Sequence, residues 1–534
     1  MPVCSKKILE MLLKTVYYLF NKNKINTEKG AFRVKRNIAK KLAKRKRKIS
    51  KRLEKRNWSD RPRPMMAGSN ICYDVDGRHQ AIACGGIGNI HQLALRTGLV
   101  DEIDTRLKLL KRHLPYHESD HVLNIAYNYL TGSSRLQDIE LLRNDEAWLN
   151  ALGAAIIPDP TTAGDFLRRF ERDDILKFME VKNTVRSKIW RKQPASFRRE
   201  ATINVDGTIC ATYGQCKEGM DISYDGQWGY HPLVVSLHNT REPLYVINRS
   251  GNAPSHLNSA HWIDKSLDLV CSHFEKVQLR GDTDFSLTEH LDKWDKRCTF
   301  IFGVDAMPNL VKMANEVDDS DWVPLEKQPE YLIKTKPRRR PENVKQQVVK
   351  QRKYKKIQTE AEHVVEFAYR PGKCKRHYRM IVLRKTLNVI KGEMNLFDDV
   401  RYFFYITNDS KRSAAEMIEF YRNRSDHEND IEQLKNGVKA LSPASDSLLS
   451  NWALMVIASL AWDLKAWYGL LLSYRPLGLA IVRMEFKRFL NTFIRIPCLI
   501  IKTGRRIYYR LVGYNDKLKH IIKFSETIKY FSSA

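Results

Sequence analysis

The sequence predicts an α/β fold in which a mixed sheet with helices on its faces lies between two helical regions. From residue 201 onward, short runs such as "HPLVVSLHN" and "RCTFIFGVDA" are rich in β-branched and aromatic residues and bounded by turn residues, which is typical of strands. Helical segments such as "HWIDKSLDLVCSHF" separate the later runs and indicate helices on the faces of the sheet. Before residue 195, apolar residues recur every three to four positions, which predicts amphipathic helices.

A chain of 534 residues is too long for one hydrophobic core, so several regions are expected. Changes in composition divide the chain into six predicted segments. These are a basic helical arm (1–57), a helical domain (71–195), the first part of an α/β domain (200–319), a β-rich basic insertion (320–400), the second part of the α/β domain (401–445) and a C-terminal helical region (446–534).

The formal net charge of +31 is concentrated in two segments. Residues 1–57 contain 20 Lys/Arg against three acids, and residues 334–356 contain 11 against one. A single basic run is equally well explained as a solvated tail. Two such runs on a nearly neutral body favour a nucleic-acid partner, because phosphates bind Lys and Arg without any sequence information.

The cysteines and the apolar segments indicate a protein of a reducing compartment without a membrane span. The nine cysteines are odd in number and form no CxxC pair, which argues against a disulfide framework or a zinc site. The longest apolar helix candidate, residues 447–462, lies between Asp446 and Asp463. Its 16 uncharged residues are fewer than the roughly 20 that a bilayer requires, so a buried helix is predicted.

Two of the predicted strands end in an aspartate. Asp206 closes "INVD" and Asp282 closes "LRGD". Functional groups of open α/β sheets collect at the carboxyl ends of strands, so we expect these carboxylates to lie close together. Converging carboxylates need a counter-charge, and two Mg²⁺ ions, for which Mn²⁺ can substitute, would supply it and support in-line phosphoryl transfer.

The segment "YRNRSDHENDIEQLKNG" predicts a helix with an unusual face. Tyr421, Arg424, Glu428 and Lys435 are three, four and seven residues apart, which places them on one stripe of a 3.6-residue helix. We interpret Glu428 as the third metal ligand, and the other three residues as contacts to DNA phosphates. The alternative is an ordinary surface helix with ion pairs between successive turns.

The order Tyr, two residues, Arg, three residues, Glu, six residues, Lys is the signature of a large group of bacterial insertion-sequence transposases of the DDE type. The stretches "NVDGT" and "LRGDTDF" resemble the first and second aspartate motifs of that group, and "TNDS" resembles its passage into the signature helix. The resemblance covers roughly residues 70–480.

The resemblance implies an RNase H-like catalytic domain, interrupted by the β-rich insertion, with Asp206, Asp282 and Glu428 as catalytic metal ligands. It also implies that the helical domain (71–195) binds terminal inverted repeats and that the protein acts as a homodimer on double-stranded DNA. Magnesium-dependent cleavage and strand transfer would move the element by cut and paste. The expected location is the bacterial cytoplasm, in association with the nucleoid.

Some relatives with this signature form a hairpin on the DNA ends, and a tryptophan of the insertion receives a flipped base. Trp322 in "DDSDWVPLEK" lies in the corresponding region and is the candidate for this role. A buried tryptophan of a strand is an equally good interpretation of the same residue.

Several carboxylates near the motifs leave alternatives open. Asp284, two residues after Asp282, is a second candidate for the same metal position. Asp305 also follows a predicted strand and is interpreted as a structural cap before the next helix. Asp426 and Glu432 lie off the stripe of Glu428 and are expected to face solvent. The neighbouring His427 is assigned no role.

Two other functions fit parts of the pattern. An RNase H-like structure-specific nuclease would use the same three carboxylates, but such proteins are usually shorter and lack the basic insertion. A catalytically silent DNA-binding protein derived from a transposase would retain the basic segments. The presence of Asp206, Asp282 and Glu428 together argues against that alternative.

Overall fold

The computed structural model describes residues 36–54, 66, 68–325, 344–352, 355–391 and 394–531. The first part of the basic arm and most of the basic stretch 334–356 therefore lie outside the described residues. That these two segments bind nucleic acid stays a prediction.

The N-terminal part is helical, with one short strand, β1 (Gln80–Ile82). Its helices are α1 (Arg36–Glu54), α2 (Ile87–Arg96), α3 (Leu99–Arg106), α4 (Glu118–Thr131), α5 (Ile139–Arg143), α6 (Glu146–Leu152), α7 (Pro160–Arg168), α8 (Arg172–Arg191) and α9 (Ala195–Arg198). Local chemistry sets several of their starts. Asp159 caps α7 by accepting from the backbone N–H of Thr162 at 2.8 Å, and Pro160 occupies the first helical position.

The central sheet begins after α9. Its chain order is β2 (Glu200–Gly207), β3 (Cys210–Ala211), β4 (Asp221–Ile222), β5 (Trp228–Tyr230), β6 (Leu233–Leu237), β7 (Glu242–Ile247), α10 (Ser259–Cys271), β8 (Lys276–Gly281), α11 (Thr288–Trp294), β9 (Thr299–Val304) and α12 (Pro308–Asn315). The spatial order is β7-β6-β2-β8-β9. Strands β2, β8 and β9 run parallel to one another, β6 is antiparallel to both of its neighbours, β2 and β7, and β3, β4 and β5 form a small separate sheet.

This arrangement confirms the predicted mixed α/β fold, and its strand order is that of RNase H-like domains. The β-rich insertion is also present, as β10 (Val323–Pro324), α13 (Val344–Gln351), β11 (Lys355–Tyr369), β12 (Tyr378–Lys391) and β13 (Met394–Thr407). Its strands continue the central sheet as β10-β11-β12-β13, and β13 pairs with β9. The insertion therefore widens the central sheet instead of forming a separate layer.

The helix predicted over residues 421–437 is interrupted in the structure. It consists of α14 (Ala414–Arg422), α15 (Ser425–Glu432) and a wider π-helical turn from Gln433 to Gly437. In a continuous helix the Arg424 N–H would bond to the carbonyl of Phe420. That carbonyl instead accepts from Arg280 at 2.6 Å, and the Arg424 N–H bonds to Tyr421. The prediction of one continuous helix is wrong because a distant arginine takes the backbone acceptor at the break.

The C-terminal part contains α16 (Leu448–Leu471), α17 (Arg475–Arg483), α18 (Phe486–Phe489), β14 (Cys498–Thr503), β15 (Arg506–Leu511) and α19 (Leu518–Thr527). The predicted helical region thus omitted the β14–β15 hairpin, which pairs with β1 at the other end of the chain. The backbone N–H and C=O groups at the edge of β1 need a neighbouring strand as hydrogen-bond partner. The tertiary fold alone brings β14 to that edge.

Helix α16 is the one segment of the described residues that is long and apolar enough to cross a bilayer, but 94% of its most apolar window is buried within the protein. It packs against α4, α8 and β7. The helix continues past Asp463, where the sequence analysis ended it, because Asp463 pairs with Lys182 and Arg186, both at 2.9 Å. These ion pairs allow a charged residue inside an apolar helix.

Candidate active site

Asp206 lies at the carboxyl end of β2, the central strand of the sheet. Its strand pairs with β6 on one side and with β8 on the other, so its position relative to both neighbours is determined by the ladder. Residues 201–205 of β2 are buried, and Asp206, the next residue, is partly exposed. Strand β2 therefore places Asp206 at the boundary between the buried core and the candidate site.

Asp282 follows β8, the strand next to β2. Its side chain accepts from the backbone N–H of Asp284 at 3.1 Å and caps a single 3₁₀ turn, which orients the carboxylate. Asp282 is partly buried, whereas the side chain of Asp284 is exposed. The structure therefore favours Asp282 over Asp284 as the inward-facing carboxylate of this pair.

Glu428 lies on α15 and faces Asp206 across the guanidinium of Arg424. Arg424 donates to Asp206 Oδ2 at 2.9 Å and to Glu428 Oε1 at 2.8 Å. The Glu428 side chain is 56% exposed. The structure thus brings Asp206 together with Arg424 and Glu428, which follow it by more than 200 positions in the sequence.

The pKa values of Asp206 and Asp282 are both raised above the ordinary value for an aspartate. The pKa of Asp206 is raised to about 7, mainly by burial and also by the charges of Asp282 and Glu428, while Arg424 opposes the shift. Burial likewise raises the pKa of Asp282, with Arg424 opposing the shift and Asp284 adding to it. A cation at this position relieves repulsion among the carboxylates, and Arg424 supplies part of that charge.

Arg280 holds the signature helix against the sheet, a role that sequence reasoning did not assign. Its buried guanidinium donates to Asn204 on β2 at 2.7 Å and to the Phe420 carbonyl at the end of α14 at 2.6 Å. The same side chain lies over the ring of Phe420, 5.0 Å from its centroid. One arginine therefore links the strands of both aspartates to the segment that carries Arg424.

Tyr421 lies at the wall of a cleft of about 470 Å³ that also contacts Arg424 and Glu428. Its ring packs against Tyr405 of β13, with centroids 4.6 Å apart. Its hydroxyl comes so close to β9 that a Cβ on Gly303 would lie 2.9 Å from it. Gly303 is thus required for this approach, and no sequence signal singled it out.

Lys435 lies on the opposite side of Glu428. It borders a smaller cleft of about 160 Å³ lined by Asp206 and Glu428 among others. Its ammonium group donates to the carbonyl of Ile209 at 2.7 Å and to Thr208 at 3.4 Å. Lys435 therefore holds the loop that follows Asp206 and adds positive charge beside the carboxylates.

Trp322 is buried in the structure, with 5% of its surface exposed. The guanidinium of Arg384 lies 4.4 Å from its ring centroid, and Tyr402 packs beside it at 5.9 Å. The placement agrees with the alternative interpretation of a buried tryptophan, and the base-binding role of Trp322 stays a prediction.

The sequence analysis also considered four residues near the motifs: Asp305, Asp426, His427 and Glu432. Asp305 does not cap α12, whose N-cap is Met307; it is exposed and borders the larger cleft. Glu432 is exposed as expected, whereas Asp426 is only partly exposed. His427, which was given no role, is fully buried and bonds to Ser236 of β6 at 2.9 Å, anchoring α15 to the sheet.

The donor set of the site suits a divalent cation with oxygen ligands. Two partly buried carboxylates lie at adjacent strand ends, a third is open to solvent, and a guanidinium already lies between two of them. Hard cations such as Mg²⁺ bind one or two carboxylates and keep several waters or phosphate oxygens. By ligand type, Asp206, Asp282 and Glu428 therefore suit such an ion.

A sheet of RNase H-like strand order with two strand-end aspartates and a glutamate on a later helix is the arrangement that the resemblance to DDE transposases implies. The chain belongs to the family described as Transposase DDE domain group 1, whose model matches residues 63–529. This confirms the family resemblance found in the sequence. Transposases of the DDE class use divalent metal ions in strand cleavage and transfer.

No curated protein matches the chain. Among solved structures, the piggyBac transposase in a synaptic complex with hairpin DNA matches 77% of this chain and 81% of its own length, with 11% sequence identity and a TM-score of 0.36. That similarity is too distant to support an argument about mechanism.

Proposed function

We propose that this DDE transposase belongs to a bacterial insertion sequence, binds the terminal inverted repeats of its element, and moves it by cut-and-paste transposition. The observation that supports this proposal best is the contact of Arg424 with both Asp206 and Glu428, next to the strand end of Asp282. A site with three carboxylates and one arginine can bind both a metal ion and a DNA phosphate.

Asp206, Asp282 and Glu428 would hold the metal, which we propose to be two Mg²⁺ ions with Mn²⁺ as a substitute. When bound, the ions supply charge that activates the attacking oxygen and stabilises the leaving oxygen of an in-line displacement. The protein's part is to hold the three carboxylates at fixed strand and helix ends. Burial of Asp206 and Asp282 keeps competing water away from one side of the site.

Arg424 would change partners when metal and DNA bind. Cations bound between the carboxylates would replace its charge, and its planar fork would then be free for a phosphate in the adjoining cleft. Tyr421, packed against Tyr405, would support the guanidinium from one side. Lys435 would add a point charge for the backbone on the other side of Glu428.

The described part of the basic arm supports binding to the DNA backbone outside the site. Helix α1 docks on the C-terminal hairpin, because Arg45 donates to the carbonyls of Leu511 at 3.0 Å and Gly513 at 3.1 Å. The other Lys and Arg residues of α1 are exposed. A docked cationic helix suits the non-specific part of DNA binding. We expect the protein to act as a homodimer on the two ends of the element and on target DNA. The expected location is near the bacterial nucleoid.

The decisive experiment is cleavage of supercoiled DNA that carries the two ends of the element, with Mg²⁺ or with EDTA. Asp282→Asn removes a charged ligand at nearly constant volume, so folding and end binding should survive. Asp284→Asn is the matched control, because its side chain is exposed. We expect the wild type and Asp284→Asn to cut the ends with Mg²⁺ only, and Asp282→Asn to bind without cutting.

Other outcomes point to the other functions. Cutting that depends on branched or hybrid structures, and not on the inverted repeats, would identify a structure-specific nuclease. Binding of the ends without cutting by any variant would identify a catalytically silent DNA-binding protein. Equal cutting by wild type and Asp282→Asn would contradict the proposed role of Asp282.

A further inference from the structure

A second cluster of possible metal ligands lies in the helical region, at the start of α4. Among the described residues, His113, His117 and Glu118 form a group in which one ligand atom from each lies within 4.8 Å of the others. His113 Nε2 is 3.0 Å from Glu118 Oε2, and the two imidazole rings stack with centroids 4.4 Å apart. No element of the RNase H-like sheet contributes to this cluster.

Backbone hydrogen bonds hold the Glu118 carboxylate in one orientation, as supporting hydrogen bonds do for metal ligands. Its side chain is fully buried, and its Oε1 accepts from the backbone N–H groups of Leu109 at 3.0 Å and Leu110 at 3.1 Å. Burial alone would raise the pKa of Glu118, but these two bonds hold it below its ordinary value. A buried carboxylate oriented through one oxygen presents the other to its remaining partner, as ligands with supporting hydrogen bonds do.

Both histidines face solvent at the same place. His113 and His117 are exposed, so an ion can reach them without opening the fold. Ligand atoms on one Zn²⁺ ion lie at most ~4.2 Å apart, because Zn–N and Zn–O bonds are about 2.0–2.2 Å long. Rotation of the exposed rings would bring the ligand atoms to that separation. His121, one turn further along α4, is excluded, because it is buried and its ring stacks on Phe166 at 4.3 Å.

We propose that His113, His117 and Glu118 bind one transition-metal ion of the Zn²⁺ type, independent of the ions at the DDE carboxylates. Two imidazole nitrogens and one carboxylate oxygen suit Zn²⁺ and related borderline metals better than Mg²⁺ or Ca²⁺, which prefer oxygen. The ion would tie the connection between α3 and α4 to the first turn of α4, a helix that packs against α16 in the centre of the helical region.

The competing explanation is a simple ion pair between protonated His113 and Glu118, with His117 only stacked on it. The exposed pair of His79 and Asp76, at 2.7 Å, provides a matched control, because it has the same chemistry without a second histidine. His117→Asn removes the ring and keeps a good N-cap residue, and His113→Gln removes an exposed ring, so neither change should unfold the protein.

The test is a titration of the full-length protein with Zn²⁺ by calorimetry, after EDTA treatment and in excess Mg²⁺ so that the DDE carboxylates are occupied. We expect the wild type and His79→Gln to bind one equivalent more than His113→Gln and His117→Asn. The affinity of that equivalent should fall by at least about 100-fold in the two variants, since they lose a direct ligand. The same number of equivalents in all four proteins would overturn the proposal.

Exposed thiols such as Cys72 and Cys216 can also bind zinc, so ligand type is checked separately. Co²⁺ replaces Zn²⁺ and shows a visible spectrum that differs between sulfur and nitrogen or oxygen ligands. We expect the wild type to bind Co²⁺ with nitrogen and oxygen ligands only at this equivalent. A spectrum with sulfur character, or none, would overturn the proposal even if a histidine variant failed to fold.

Discussion

Arg424 donates a hydrogen bond of 2.9 Å to Asp206, across the gap between the glutamate helix and the central strand of the sheet. The same guanidinium also reaches Glu428, so a single cation neutralises two of the three carboxylates of the candidate site. A metal ion bound by these carboxylates has to compete with this side chain. The contact therefore links metal binding to the position of the arginine proposed to hold DNA.

Arg424→Ala should distinguish the effect of Arg424 on metal binding from its effect on DNA cleavage. Without the competing guanidinium, the affinity for Mn²⁺ in the absence of DNA should rise by roughly 3-fold or more. Cleavage of the element's ends should nevertheless fall by about 100-fold or more, because a charged contact to the reacting phosphate is lost. Calorimetric titration with Mn²⁺ and end-cleavage rates check the two effects.

Arg422→Ala is the control for this change, because Arg422 pairs with Glu362 of the insertion at 2.7 Å and not with the candidate ligands. It should leave the Mn²⁺ affinity unchanged. Weaker Mn²⁺ binding in Arg424→Ala would contradict the competition between guanidinium and metal.

Asp206 should make the metal-free protein less stable as pH rises. Its pKa is about 7 in the folded state against 3.8 ordinarily, so the folded state binds the proton more tightly. Stability from this group is present below pH 4 and is lost as pH rises towards 7. Asp206→Asn should therefore melt at a higher temperature than wild type at pH 8 in EDTA. The difference should shrink towards pH 4, which thermal unfolding across this range would show.

Asp430, whose pKa burial also raises to about 7, is present in both proteins and cancels in this comparison. Addition of Mg²⁺ should raise the melting temperature of wild type more than that of Asp206→Asn. An equal rise in both would show that Asp206 does not bind the metal.

Gly303→Ala should disturb the site without changing any charge. A Cβ there would lie 2.9 Å from the hydroxyl of Tyr421 and 2.9 Å from Thr283 Cγ2, so the backbone or both side chains must shift. We expect a loss of about 1–3 kcal/mol in the free energy of unfolding, measured with urea, and slower cleavage. Adding Tyr421→Phe should recover part of the stability. Gly372→Ala, with open space around it, should be neutral.

Asp463→Asn should strongly destabilise the helical region. The change leaves Lys182 and Arg186 buried without one of their carboxylate partners. Loss of one partner of a buried ion pair costs about 3–5 kcal/mol, which denaturant unfolding can measure. Asp446→Asn is the matched control before the same helix, where the side chain is 70% exposed and the expected change is close to zero. Equal effects would contradict the burial of this network.

The exposed cations of α1 should determine much of the salt dependence of DNA binding. Replacing Lys46, Arg47 and Lys48 with alanine should lower the slope of log affinity against log salt by about 2–3. Anisotropy titrations with non-specific duplex DNA at several salt concentrations measure this slope. A matched set of cations that already pair with carboxylates should change it less: Lys293, Lys312 and Lys373. An unchanged slope would contradict the proposed contact between α1 and DNA.

The sequence predicted those parts of the site that depend on local pattern. Asp206 and Asp282 each end an apolar strand, and strand ends of one sheet face the same edge, so their proximity follows from hydrophobic periodicity. The signature spacing placed Arg424 and Glu428 one turn apart, and the structure joins them directly. The roles of these residues in catalysis stay predictions.

Contacts between distant segments were decided only by the tertiary structure. Trp322 is covered by Arg384 from another strand, and the pairing of β14 with β1 joins opposite ends of the chain, so neither has a local signal.

By itself, the sequence determined the α/β class, the β-rich insertion, the family and the order of the motif residues, because periodicity and spacing are local properties. The break before Arg424 arises because Arg280, 140 residues from Phe420, takes its carbonyl. Only the folded chain brings such a donor within hydrogen-bonding distance of this carbonyl.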